Sequence, residues 1–186
     1  QPRKVGDRVA RLIGAGPGQV VMGDTLSIKV FQAVSAARAL RPDRRVILSD
    51  SGNFPSDLYV AEGLARAVDA ELRVVAPEEV EAAIGDDLAV LMITEVDYRT
   101  GRRHDMAAIT RAAHAIGALA LWDLSHSVGA VEVDLNGCNA DLAVGCGYKY
   151  LNGGPGSPAF LFVARRHQEG IANPLSGWMG HAAPFD

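Results

Sequence analysis

Short apolar runs alternate along this chain with stretches in which apolar residues recur three and four positions apart. DRVARLI (7–13) carries the helical pattern, VVM (20–22) reads as a strand ending at Gly23, and residues 24–40 read as a long helix. RVILSD (45–50) is the next strand, followed by a helix over SDLYVAEGLARAV (56–68) that opens on a Ser56-Asp57 cap. LRVVA (72–76) predicts a strand, and PEEVEAAI (77–84) a short helix with proline at its first position. LAVLMITEV (88–96) is a strand, and DMAAITRAAHAIGA (105–118) a helix capped by Asp105 and stopped near Gly117. ALALWDLS (118–125), DLAVGCG (141–147) and AFLFVA (159–164) complete the strands. No helical pattern separates the last two, so a hairpin-like or mixed segment is expected there. The strands are apolar on both sides. Strand alternating with helix in this way predicts an α/β fold, a mostly parallel sheet flanked by helices on both faces.

Composition narrows the class without changing it. The chain has 186 residues, 48% apolar and 22% charged, which suits a globular core. A net charge of −4 with no lysine or arginine stripe argues against nucleic acid as a partner. Runs such as LAVLMI (88–93) are far too short to span a bilayer. Cys138 and Cys146 have neither metal-ligand spacing nor the count of a disulfide scaffold, which fits a reducing cytoplasm. The sequence opens on QPRKVG, without an initiator methionine or an apolar signal segment, and ends on GWMGHAAPFD without a helix stop. It is expected to be a piece of a longer chain. No repeat, low-complexity tract or linker marks an internal boundary.

In open α/β sheets ligands collect outside the carboxyl ends of the strands. Four exits carry polar or aromatic groups: SGNFPSD after RVILSD, TEVDYRTG after LAVLMI, DLSHS after ALALW, and CGYKY after DLAVG. GAGPG (14–18) follows a helical pattern and precedes a strand, the reverse of a dinucleotide fingerprint, and reads as a turn. There is no GxxxxGK[ST] loop. The helix start at Asp24, Thr25 and Ser27 suits a phosphate, although, taken alone, ordinary capping by Asp24 or Thr25 is the favoured explanation. Asp123 and His126 end a buried strand, where a carboxylate needs a partner. One carboxylate and one histidine are too few for a metal, and Ser125-His126 lacks a nucleophile elbow. His104, His114 and His167 sit in helical or loop contexts without partners and read as solvated or structural, and Cys146 reads as an inert buried thiol. Lys149 stands out, leaving an apolar strand between Tyr148 and Tyr150 ahead of a glycine run. A lysine in a partly apolar pocket is a nucleophile toward carbonyls. Pyridoxal 5′-phosphate needs such a lysine, a carboxylate for its ring nitrogen, a phosphate cup and a stacking ring. Lys149, Asp123, the Thr25–Ser27 helix start and Phe54 supply one of each.

LWDLSHSVGAVEVDL followed by ADLAVGCGYKYLNGGPGSPAFLFV resembles the kynureninase family, fold type I pyridoxal-phosphate enzymes of the class V aminotransferase group. VILSDSGNFPSDLYVAEGL, RTGRRHDM and LSGWMGH continue the resemblance, which covers essentially the whole sequence. It implies the cofactor-binding large domain of an aspartate-aminotransferase-like fold over residues 1–186, lacking the family's N-terminal segment and its small C-terminal domain. Lys149 would be the Schiff-base lysine, with Asp123 on the pyridine nitrogen and His126 beside the ring. Leu26 and Ser27 would lie at the phosphate and Phe54 on the ring, with Pro55, Ser56 and Asp57 lining it. Thr94 would hydrogen-bond near the cofactor, Tyr148 would contact the phosphate and donate a proton, and Trp178 would reach in from a partner subunit. The implied reaction is hydrolysis of the Cβ–Cγ bond of L-kynurenine or its 3-hydroxy form, giving anthranilate or 3-hydroxyanthranilate and L-alanine, in tryptophan degradation. The implied assembly is a homodimer with active sites at the interface. A desulfurase-like or aminotransferase-like relative, or a fragment that only binds or dimerises, are the alternatives.

Overall fold

The computed structural model describes residues 1–185. In chain order the elements are α1 (Pro2–Leu12), β1 (Val20–Gly23), α2 (Leu26–Ala39), β2 (Val46–Asp50), α3 (Pro55–Ala67), β3 (Glu71–Val75), β4 (Leu88–Thr94), α4 (Met106–Ala115), β5 (Leu119–Asp123), β6 (Leu142–Cys146) and β7 (Ala159–Val163). One sheet holds the seven strands in the order β1-β7-β6-β5-β4-β2-β3. Strands β3, β2, β4, β5 and β6 pair in parallel. Only β7 runs the other way, antiparallel to both β6 and β1. The expected mixed segment is therefore a reversal without a crossover helix, and the α/β class with a mostly parallel, helix-flanked sheet is the observed one.

Alternation along each strand builds two cores, one per face. In β2, Val46 and Leu48 face one core and Ile47 the other. The first core joins Val9, Ala10 and Ile13 of the N-terminal segment to Ile109 and Ala113 of α4. The second joins Val30, Ala33, Val34 and Ala37 of α2 to Ala61, Leu64 and Ala65 of α3. In β4 the alternation slips once, so that Ala89 and Val90 share a face, where the β2–β4 register shifts beside Val46. Each fully buried leucine, isoleucine or phenylalanine here stabilises the fold by about 1.5–3 kcal/mol. The buried Trp122 also satisfies its indole N–H, which donates to Thr110 Oγ1 at 3.1 Å.

Three local expectations change. PEEVEAAI forms only a single 3₁₀ turn, Pro77–Glu79, and then turns, with Val80 buried in the core and Ala83 and Ile84 packed partly against it. Ser56 and Asp57 do not cap α3. The cap position is Phe54, Pro55 is the first helical residue, and Asp57 is buried in the first turn. Thr25 holds the cap position of α2, yet no side chain bonds the exposed N–H groups there. By contrast, Asp105 caps α4 as expected, accepting the Ala108 N–H at 2.9 Å, and Gly117 ends it with φ +77°.

The glycines in and just after β6 are there for space as much as for turns. A Cβ on Gly145 would strike the buried ring of Phe160 on β7, and one on Gly147 would strike Ser157. The absence of side chains lets β7 fold back tightly enough to aim the Tyr148–Tyr150 turn at the carboxyl end of the sheet. No helix among the described residues is long and apolar enough to cross a membrane.

Candidate active site

The carboxyl ends of β2, β4, β5 and β6 converge on one depression. Lys149, three residues beyond β6, lies partly buried with its Nζ 5.2 Å from the centre of the Phe54 ring and 5.5 Å from that of Tyr148. No carboxylate stands within ion-pair distance of it among the described residues. Phe54 follows β2 and meets Tyr98, after β4, edge-on at 5.0 Å. Both rings neighbour His126, after β5, at 6.2 and 5.9 Å.

Asp123, the last residue of β5, is 1% exposed. Its Oδ1 accepts the Ser125 hydroxyl at 2.6 Å and the Ser125 N–H at 2.9 Å, while its Oδ2 is buried with no partner. Asp57, also 1% exposed, leaves its own Oδ2 without a partner. Burial pushes the Asp57 carboxyl up to about 8, and the charge of Asp123 pushes the same way. Burial raises Asp123 too, against the Ser125 bonds and the attraction of Lys149. Asp57, whose carboxyl accepts only a 3.5 Å bond from Ser56, keeps its proton at neutral pH, and the shorter Ser125 bonds and the Lys149 charge favour placing negative charge on Asp123 rather than on Asp57. An unsatisfied buried carboxylate oxygen costs about 1–3 kcal/mol or more. Such a site calls for a donor from outside the chain.

Burial, and then the Lys149 charge, push the His126 ring down to about 4, so it is neutral near pH 7. Burial raises the Tyr148 phenol, with the neighbouring Cys146 acting in the same direction, so it keeps its proton. Beyond Tyr148 a cavity of about 550 Å³ opens on the start of α2, with Thr25, Leu26, Tyr148 and Ser157 in its wall. The uncapped N–H groups of α2 and its dipole favour an anion in that cavity. The one carboxylate in the wall, Asp24, lies 3.9 Å from Lys29.

A profile described as aminotransferase class-V matches residues 3–177. The chain belongs to the class V aminotransferase family. It is 56% identical over its whole length to a kynureninase of Deinococcus radiodurans and 54% identical over 191 aligned positions to one of Burkholderia pseudomallei. It spans 45% and 46% of those relatives' lengths, about half of each. Among solved structures it superposes on a cysteine desulfurase from Thermococcus onnurineus NA1 with a TM-score of 0.78 at 19% identity, covering 95% of this chain and 46% of that one. It superposes on an alanine–glyoxylate aminotransferase from Nostoc sp. with a TM-score of 0.71 at 19% identity, covering 90% and 46%. At that identity these neighbours speak for the class V fold alone.

Within the class V fold the expected site residues fall into three groups. Phe54, Asp57, Asp123, His126, Tyr148 and Lys149 gather at the strand exits. Pro55 and Ser56 start α3 beside them, and Thr94 pairs with Asp123 across β4 and β5, its hydroxyl donating to Val96 O at 3.1 Å. Leu26 lines the anion cavity, and Ser27 is exposed in the first turn of α2. Trp178 is 62% exposed in the turn Trp178–Gly180, and its aromatic neighbour is Phe185 at 5.3 Å.

Several residues at the site were not singled out in the sequence. Ser125 holds Asp123, and the Asn53 side chain accepts the Phe54 N–H at 2.8 Å. Tyr98 lies in the TEVDYRTG exit, and an aromatic just past a strand end was the available signal. The reading of three histidines as lacking partners is corrected: His104 meets Asp50 at 2.7 Å, and His114 and His167 each meet Asp141 at 2.7 Å. Those partners are 54, 27 and 26 residues away, beyond what spacing reveals.

Proposed function

We propose that this chain carries the pyridoxal-phosphate site of a cytoplasmic kynureninase, which cleaves the Cβ–Cγ bond of L-kynurenine or 3-hydroxykynurenine with water. The observation that carries the cofactor reading is the buried, unpartnered Oδ2 of Asp123, close enough to an unpaired Lys149 for its charge to act on the carboxyl. A protonated ring nitrogen satisfies that oxygen, and an aldehyde satisfies the amine. The uncapped start of α2 and its cavity fit the phosphate, and Phe54 fits the ring face. Identity above 50% to two kynureninases supports the particular reaction.

Bound there, the cofactor would supply an electrophilic aldehyde carbon and an electron-withdrawing ring. Lys149 Nζ would hold that carbon and would serve as the base for the substrate's α-proton. Asp123 keeps the ring nitrogen protonated by opposite charge. Protonated Asp57 lets Asp123 carry the pair's negative charge without a second one beside it. His126, being neutral, would border the ring without competing for Asp123. Tyr148 holds a proton on its phenol near the phosphate end, available to the substrate carbonyl or its departing fragment. The substrate carboxylate and the rest of the pocket belong to the further length that the relatives have, and to a homodimer partner from which Trp178 reaches the cofactor.

A desulfurase reading needs a mobile nucleophilic cysteine. Cys146 is 1% exposed, and burial raises the Cys138 thiol beside acidic neighbours, so neither suits that role. Borohydride reduction in the presence of pyridoxal phosphate, followed by peptide mapping, is expected to leave a pyridoxyl group on Lys149 and none in Lys149→Ala. A label elsewhere, or none, removes the reading. Fluorescent anthranilate released from kynurenine by the longer protein then separates kynureninase from its class V relatives.

A further inference from the structure

We infer that Tyr98 is a positioning residue of this site: held by the Asp97–Arg99 arm, its ring sets the attitude of Phe54 toward the cofactor. The inference rests on the pyridoxal-phosphate reading above and concerns a residue to which that reading gives no role.

The arm grips the Phe54 loop at both ends. Arg99 Nη2 donates to the Ser51 carbonyl at 2.9 Å, at the start of that loop. Tyr98 meets the Phe54 ring at 5.0 Å and 68°, at its end. Between them, a Cβ on Gly52 would come within 2.9 Å of Asp97 Oδ2, so arm and loop are in direct contact. The arm itself is stiff. Asp97 is 6% exposed, and its Oδ1 accepts the Arg99 N–H at 2.7 Å and the Thr100 N–H at 3.3 Å. Its backbone N–H donates to Arg102 O at 2.9 Å, and its carbonyl accepts the Gly101 N–H at 2.8 Å. The Arg99 guanidinium also lies 5.5 Å from the centre of the Tyr98 ring, close enough for a cation–π contact that steadies it.

The geometry of the ring contact matters for the chemistry. An edge-on neighbour fixes a phenyl ring by quadrupole attraction without stacking on it. Phe54 thus has its backbone N–H tied by Asn53 and its ring braced by Tyr98 in a T-shaped rather than stacked contact, with Lys149 Nζ 5.2 Å from the ring centre. Tyr98 also lies 5.9 Å from His126, so one ring braces two others that come from different strand exits. At 42% exposed, Tyr98 is not there to fill the core. The ring does this work, and the hydroxyl is not required.

Titration of the protein with pyridoxal phosphate, read by the absorbance of the bound cofactor and checked by borohydride trapping, tests the inference. Tyr98→Phe is expected to bind within about twofold of the unsubstituted protein, and Tyr98→Leu to bind about 3- to 10-fold more weakly, the size of one aromatic pair. Equal affinity for Tyr98→Leu, or a lowered melting temperature without a change in affinity, overturns it. So does a Tyr98→Phe variant as weak as Tyr98→Leu. Should Tyr98→Leu not fold, Arg99→Met decides the matter: loosening the arm is expected to weaken binding about twofold or more, and unchanged binding overturns the inference. If the unsubstituted protein takes up no cofactor at Lys149, the cofactor reading falls and takes the inference with it. Uptake that ignores both substitutions removes the inference alone.

Discussion

Two aspartates, one at each end of neighbouring strands, are buried to the same degree and treated in opposite ways. Asp141, just before β6, and Asp123, ending β5, are each 1% exposed. Asp141 is saturated: its Oδ1 takes Arg166 at 2.6 Å and His167 at 2.7 Å, and its Oδ2 takes His114 at 2.7 Å and the Ala120 N–H at 2.8 Å. Burial opposes its charge, but these donors outweigh it and hold the carboxyl below its ordinary range. Asp123 has donors from Ser125 on one oxygen and none on the other, and burial wins, raising it. The amino ends of the strands therefore carry a completed electrostatic clasp, and the carboxyl ends an incomplete one. The first serves stability, joining α4, β5, β6 and the turn after β7. The second has given up part of its own stability to keep a position open.

Substitution at Asp141 should break this contrast most severely. Asp141→Ala leaves Arg166 and two histidines facing an empty acceptor and is expected to cost about 3–5 kcal/mol, read as a lower urea midpoint. Asp123→Asn should do the opposite, leaving the urea midpoint within about 1 kcal/mol of the parent while weakening pyridoxal-phosphate uptake about tenfold or more. An Asp123→Asn protein as unstable as Asp141→Ala would mean that the two ends are built alike.

The pH dependence should divide in the same way. The folded-state pKa of Asp141 lies below the 3.8 of an unperturbed aspartate, so its contribution is present above that value and lost as pH falls through the lower one. Asp57 is raised from 3.8 to about 8, so the folded state binds its proton more tightly and stability falls as pH rises between those values. Asp57→Asn should accordingly raise the melting temperature at pH 8 relative to the parent and change it little at pH 4, a difference seen by calorimetry at the two values. The smallest effect concerns His126. Lowered from 6.5 to about 4, it should show no imidazolium resonance by NMR at pH 6, and its share of stability is lost only as pH falls from 6.5 toward 4.

Much of the site could be read ahead of the structure because a strand exit is a local feature. An apolar run ending in Asp123, or a run followed three residues later by Lys149, announces itself within a few positions. Phe54 was legible for the same reason, as an aromatic in the SGNFPSD exit that follows the RVILSD strand. What could not be read depends on distant partners. The histidines were judged by their immediate neighbours, but Asp50 and Asp141 reach them across the fold. Asp57 resembled a helix cap by position, yet Pro55 starts the helix earlier and turns that carboxyl into the interior. PEEVEAAI had helical spacing, but of its apolar residues only Val80 is fully buried, and the segment stops after one 3₁₀ turn.

By itself the sequence determined the order of elements, the parallel character of most of the sheet and the reversal at β7, since periodicity, run length and connection type are properties of adjacent residues. It also singled out which chemical groups leave the strands. Only the tertiary structure decided which carboxylate is saturated and which is bare, which rings touch, and which groups hold protons. Those outcomes follow from burial and from charges brought near one another by folding, and neither is encoded at any single position.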